Sequence, residues 1–159
     1  MFIEPANQIA LLGPIYLLSV AIPLGLIDLR EHRLPNKLVL PAIPITLLGQ
    51  FLAAFLFDRF ENLVWALVFS SLAFAIALGI NRAGVLGMGD VKLIASIFLA
   101  LGWFSAWLPV AAVVGTLLSA TLGAMVLLAT KRISLGAAMP LGPYLLIGFA
   151  SALTVGVWS

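Results

Sequence analysis

Residues 93–130 read LIASIFLALGWFSAWLPVAAVVGTLLSATLGAMVLLAT, without one charged side chain. A helix crosses the hydrocarbon core of a bilayer with about 20 apolar residues. This stretch is therefore long enough for two crossings. Gly102 and Pro109 bracket a short aromatic turn, Gly102-Trp-Phe-Ser-Ala-Trp-Leu-Pro109, and mark the break between them. The run is continuous rather than alternating, which excludes the strands of a β-barrel.

Outward from this stretch, residues 5–27, 38–57, 62–81 and 133–159 are also free of charge, and each suits one crossing. The reading is an all-α polytopic membrane protein, a bundle of six transmembrane helices. Its spans are expected near residues 6–28, 38–57, 62–81, 91–105, 109–130 and 140–158, in a single domain over 1–159. Composition agrees, with 64 % hydrophobic and 9 % charged residues among 159 and a mean hydropathy of +1.23. Soluble domains are about a quarter charged, so this chain has too little polar surface for a water-facing globule. Disordered chains are polar and charge-rich, which excludes that class as well. A net charge of +2, with the cations split among loops, offers no nucleic-acid surface. The chain has no cysteine, hence no disulfide framework, thiolate zinc site or cysteine nucleophile. The start, Met1-Phe-Ile-Glu-Pro5, lacks a basic segment and does not read as a cleavable signal peptide.

Lysines and arginines concentrate in cytoplasmic loops. Arg30, Arg33 and Lys37 follow the first span, Arg82 and Lys92 the third, and Lys131 and Arg132 the fifth. These three loops are expected in the cytoplasm, with both termini outside the cell membrane. Trp65, Trp103, Trp107 and Trp158 then all fall at the outer end, where interfacial tryptophans are expected. Gly115, Ser119 and Gly123 form a small-residue seam on span five, suited to close helix packing.

Few side chains here can do chemistry. His32 sits in a basic loop and reads as solvated. There is no HExxH helix and no GxSxG elbow. The glycines at 84, 87 and 89 have no strand before them and make a poor phosphate loop. Glu4, Asp58 and Glu61 occupy plain outer loops, and Glu31 has Arg30, His32 and Arg33 to neutralise it. Asp28 and Asp90 differ, because they end span one and start span four on the same side of the membrane. Ionisable groups at such depth are costly and often functional. Two acids forced together share a proton, leaving one neutral and one ionised. Such a pair can activate water and polarise a peptide carbonyl. Gly87 and Gly89 allow backbone to approach closely ahead of Asp90. Span four has about 12–17 residues beyond Asp90, roughly 18–26 Å, which would draw Asp90 slightly below the surface. In a simpler alternative, Arg30 and Lys92 just pair with these acids. A transporter or channel subunit would instead need polar mid-span residues, and only Ser70, Ser71, Ser119 and Thr121 stand out. A structural membrane subunit would need neither acid.

Three segments carry a family resemblance. Asp28-Leu-Arg-Glu-His-Arg-Leu-Pro-Asn36 resembles the first aspartate loop of type IV prepilin peptidases. Gly87-Met-Gly-Asp90-Val-Lys-Leu93 is similar to their GxGD segment, and Met139-Pro-Leu-Gly-Pro-Tyr-Leu145 to the segment that opens their last helix. The resemblance implies an aspartic endopeptidase of the cytoplasmic membrane. It would remove the short leader of a type IV pilin-like precursor (a prepilin or pseudopilin), just after a glycine. Asp28 and Asp90 would be catalytic, with Gly87, Gly89, Lys92 and Asn36 in support. No cofactor or metal is expected; the partners are the precursor and the lipid bilayer, with oligomeric state left open. Long members carry a cysteine-rich N-terminal region and also methylate the new pilin end. This chain resembles the short form, which implies peptidase activity only. Archaeal preflagellin peptidases are a near alternative in substrate, not in chemistry.

Overall fold

The structure, a computed structural model, describes residues 4–131 and 140–158. Eight helices follow in order: α1 (Pro5–Ala10), α2 (Leu12–Glu31), α3 (Asn36–Val39), α4 (Ala42–Phe57), α5 (Phe60–Arg82), α6 (Met88–Gly102), α7 (Trp107–Ala129) and α8 (Gly142–Trp158). Among the described residues there is no strand. Helices α1 and α2 run on as one rod, as do α3 and α4, so the chain forms an all-α bundle of six rods. Four of them, Pro5–Glu31, Asn36–Phe57, Phe60–Arg82 and Trp107–Ala129, are long and apolar enough to cross a membrane. The protein is a multi-pass membrane protein.

Exposure separates the faces. Ile22, Phe55, Leu72, Leu117 and Leu122 are all more than half exposed, and in water such a surface would aggregate. In a bilayer it meets lipid, while every backbone group stays paired inside its own helix. The buried stripe belongs above all to α6, where Val91, Leu93, Ile97, Leu99, Ala100 and Leu101 are inaccessible or nearly so. Helix α6 touches α2, α3, α4, α5, α7 and α8. It is the central rod and the shortest full one, 15 residues or about 22 Å. The glycine seam of α7 faces α8, where a Cβ on Gly115 would meet Ser151 and Gly148, and one on Gly123 would meet Tyr144.

One tryptophan departs from the interfacial expectation. Trp65 and Trp107 are exposed, but Trp103 is only 1 % exposed and belongs to the core. Its indole N–H donates to Asn7 Oδ1 at 2.9 Å, which makes burial affordable for the one polar atom of the ring. The side chain of Trp158 lies outside the described residues.

Candidate active site

One end of the bundle gathers the end of α2, the whole of α3 and the beginnings of α6 and α8. Helix α2 stops because His32 turns left-handed (φ 51°), and its N–H closes on the Asp28 carbonyl at 2.9 Å. Asp28 thus sits in the last turn, at a fixed angle, and is only 4 % exposed. Its Oδ2 accepts the backbone N–H of Gly142, the first residue of α8, at 2.8 Å. The first N–H groups of a helix have no partner within it, so Asp28 caps α8 from a helix more than a hundred residues away. A Cβ on Gly142 would stand 2.7 Å from that oxygen.

Asp90 is three residues into α6, with Gly87 as N-cap. It precedes Lys92 and the uncharged run that begins at Leu93, and so stands outside the span. A backbone hydrogen bond joins its carboxyl to Gly87, the geometry of an acid reaching back to its own cap. A Cβ on Gly87 would lie 2.9 Å from Asp90 Oδ2. The other oxygen, Oδ1, is buried and has no partner among the described residues. Burial first, and then the charge of Asp28, push the Asp90 carboxyl from 3.8 up to about 6, against the pull of the Gly87 bond. The charge of Asp28 thus reaches Asp90, and Asp90 holds its proton to a higher pH than a free carboxyl does.

Leu34 spaces the two acidic segments. It is buried, and the following Pro35 disfavours a helical backbone at this position. A Cβ on Gly89 would come within 2.8 Å of Leu34 Cβ, and one on Gly142 within 3.1 Å of Leu34 Cδ2. Gly89 and Gly142 are thus the clearances that let α6 and α8 close on the first loop. Lys92 does not pair with Asp90. Its Nζ donates to Asn36 Oδ1 at 2.8 Å and ties α6 to α3. Among the described residues the ion pairs are Arg33–Glu31 (2.9 Å) and Arg59–Glu4 (3.1 Å), both exposed. The simpler alternative, in which Arg30 and Lys92 neutralise the aspartates, does not occur.

The sequence pointed to Asp28, Asp90, Gly87, Gly89, Lys92 and Asn36, and all six lie at this end of the bundle. It did not single out Gly142, Leu34 or Asn81. Asn81 Nδ2 donates to the Leu86 carbonyl at 2.6 Å and fixes the turn that delivers Gly87. The proline- and glycine-rich segment before α8 held the signal for Gly142. Met139 of that segment lies outside the described residues, while Pro140 and Leu141 lead directly into the helix.

A family model described as the type IV leader peptidase family matches residues 15–129, well over half of the chain and inclusive of both aspartates. No curated protein and no solved structure matches it.

Proposed function

Because the chain belongs to the type IV leader peptidase family, we propose that it is a membrane-embedded aspartic endopeptidase that removes the leader of type IV pilin-like precursors at the cytoplasmic face. The observation that carries this reading is the acid pair, with Asp28 buried under the start of α8 and Asp90 half-buried in the first turn of α6, near enough for the charge of Asp28 to raise it. Asp28, held by the Gly142 N–H, is the base and takes a proton from the attacking water. Asp90 is the acid and gives its proton to the oxygen of the scissile carbonyl as the water oxygen bonds to carbon. On collapse, Asp28 returns its proton to the leaving nitrogen and Asp90 recovers one from the diol. The carbon–nitrogen bond breaks, and both acids end as they began.

The bilayer contributes orientation. A precursor has a short leader followed by a long apolar helix, and the helix can lie in lipid beside the enzyme with the leader at the surface. Recognition then becomes in part local concentration. A glycine before the cut suits a recessed pair, since backbone without a Cβ can reach it. The cation-rich loops support a cytoplasmic position for this end, with both termini outside.

The test is incubation of the purified protein with a pilin-like precursor in detergent or vesicles, with mass analysis of the products. Cleavage at one bond near the leader end is expected, and it should survive EDTA because the steps need only two carboxyls and water. An intact precursor would remove the peptidase reading. Orientation has its own measurement, since the chain has no cysteine. A cysteine at Arg33 should resist an impermeant maleimide in intact cells and react in opened ones; labelling from outside would invert the topology.

A further inference from the structure

Helices α5 and α6 pack closely, and so do α7 and α8, but α5 and α7 are not a packed pair. Between them lies an open groove of about 410 Å³ with α6 as its floor. Phe69, Ala73, Ile76, Ala77 and Ile80 line it along one face of α5, at the three- and four-residue spacing of a helix ridge. That face covers roughly 16 Å of helix. The lining is apolar apart from Thr116, whose hydroxyl already donates to the Ala112 carbonyl at 2.8 Å. The groove therefore offers an ion or a polar ligand no partner, and suits hydrocarbon side chains.

What lies at one end of the groove identifies its occupant. Leu86 and Leu141 both line it. Leu86 is the residue before Gly87, which sits against Asp90, and Leu141 is the residue before Gly142, which donates to Asp28. On two separate segments, the groove thus ends one residue before a glycine that touches one of the acids. We propose that it receives the apolar helix of the precursor itself, so that the chain leaving the groove at Leu86 and Leu141 is the chain that is cut. This rests on the peptidase reading above and adds to it the surface that selects the substrate. The small residues Ala73 and Ala77 let a second helix come close, the packing that drives helix association in lipid.

Two measurements test it. In the first, a benzophenone amino acid replaces Ile76 or Leu117, which line the groove and are 57 % and 61 % exposed, in an otherwise inactive Asp90→Asn protein. Both should crosslink to the apolar segment of an uncut precursor in vesicles. The same probe at Leu118, equally exposed on α7 but outside the groove, should give at most a tenth of the yield. Crosslinks to lipid alone from Ile76 and Leu117, or equal yields at Leu118, would overturn the groove. In the second, Ala77→Phe fills the groove. The ratio of full-precursor to short leader-peptide cleavage should fall at least tenfold, chiefly through KM. An unchanged ratio would overturn the groove while leaving the peptidase reading intact. If the unaltered protein cuts neither substrate, the peptidase reading falls first and the groove with it.

Discussion

Replacing either Asp28 or Asp90 by Asn should abolish leader removal and leave a folded protein. Asn keeps nearly the same shape but exchanges no proton, and general acid–base catalysis is worth roughly 10²–10⁴-fold, so the loss should be at least of that order. The two variants should differ in stability in a way that separates chemistry from folding. The fold raises Asp90 from 3.8 to about 6, so it favours the protonated form. Below pH 4 the acid is neutral in folded and unfolded chains alike and costs nothing. Between pH 4 and 6 the unfolded chain gains stability by ionising while the folded one does not, and above about 6 the folded protein carries the full cost of the buried charge. Asp90→Asn removes that cost, and its amide oxygen can still accept the Gly87 N–H. At pH 7.5 the Asp90→Asn variant should therefore unfold at a higher temperature than the parent, with the gap closing toward pH 4. Asp28→Asn loses a charged acceptor for the Gly142 N–H and should show no such gain. Parent-level turnover by either variant would end the aspartic mechanism; an Asp90→Asn protein less stable at pH 7.5 would refute the account of its burial.

Much of this architecture is legible in the sequence because a bilayer enforces a simple rule. Every charge at depth is expensive, so Asp28, Asp58, Arg82, Asp90 and Lys131 punctuate the rods almost as the backbone does. Asp28 and Asp90 stand out by the same rule, as acids at the edge of apolar runs with glycines beside one of them. Contacts between segments far apart in the chain are not written this way. Nothing in the order of residues says that Lys92 reaches across to Asn36 instead of pairing with Asp90, two positions away. Nor does it say that Leu34 is the spacer for two glycines, 55 and 108 positions further on. Trp103 shows the opposite failure. Its place at a rod end suggests the interface, yet Asn7 supplies the one hydrogen bond that lets it join the core. In each case the deciding partner is a single side chain on another segment, which periodicity and charge spacing do not encode.

Gly142 tests that tertiary half of the site. It combines two demands on one residue: its N–H must reach Asp28 Oδ2 at 2.8 Å, and its α-carbon must carry nothing in that direction. A methyl group there would meet Oδ2 at 2.7 Å, Asp28 Cγ at 3.1 Å and Leu34 Cδ2 at 3.1 Å. The carboxylate belongs to a helix end fixed by the His32 turn, so it has little room to retreat without losing the bond. By helix propensity alone, alanine would stabilise the start of α8, by up to about 1 kcal/mol. A hydrogen bond to a charged group is worth about 1.5–3 kcal/mol, or roughly 10- to 150-fold in rate if the whole of it serves to hold the base. Gly142→Ala is expected to lower kcat within that range with little change in KM, and Gly142→Val, which needs still more room beside Asp28 and Leu34, to lower it further. Gly79→Ala is the matched control, since a Cβ there meets nothing within 4 Å. It should cleave the precursor at the parent rate. Kinetics on one precursor, with thermal unfolding of each variant, decide the matter. A Gly142→Val protein that is folded and fully active would show that α8 does not hold Asp28 during the reaction, and the assignment of Asp28 as the positioned base would fall with it.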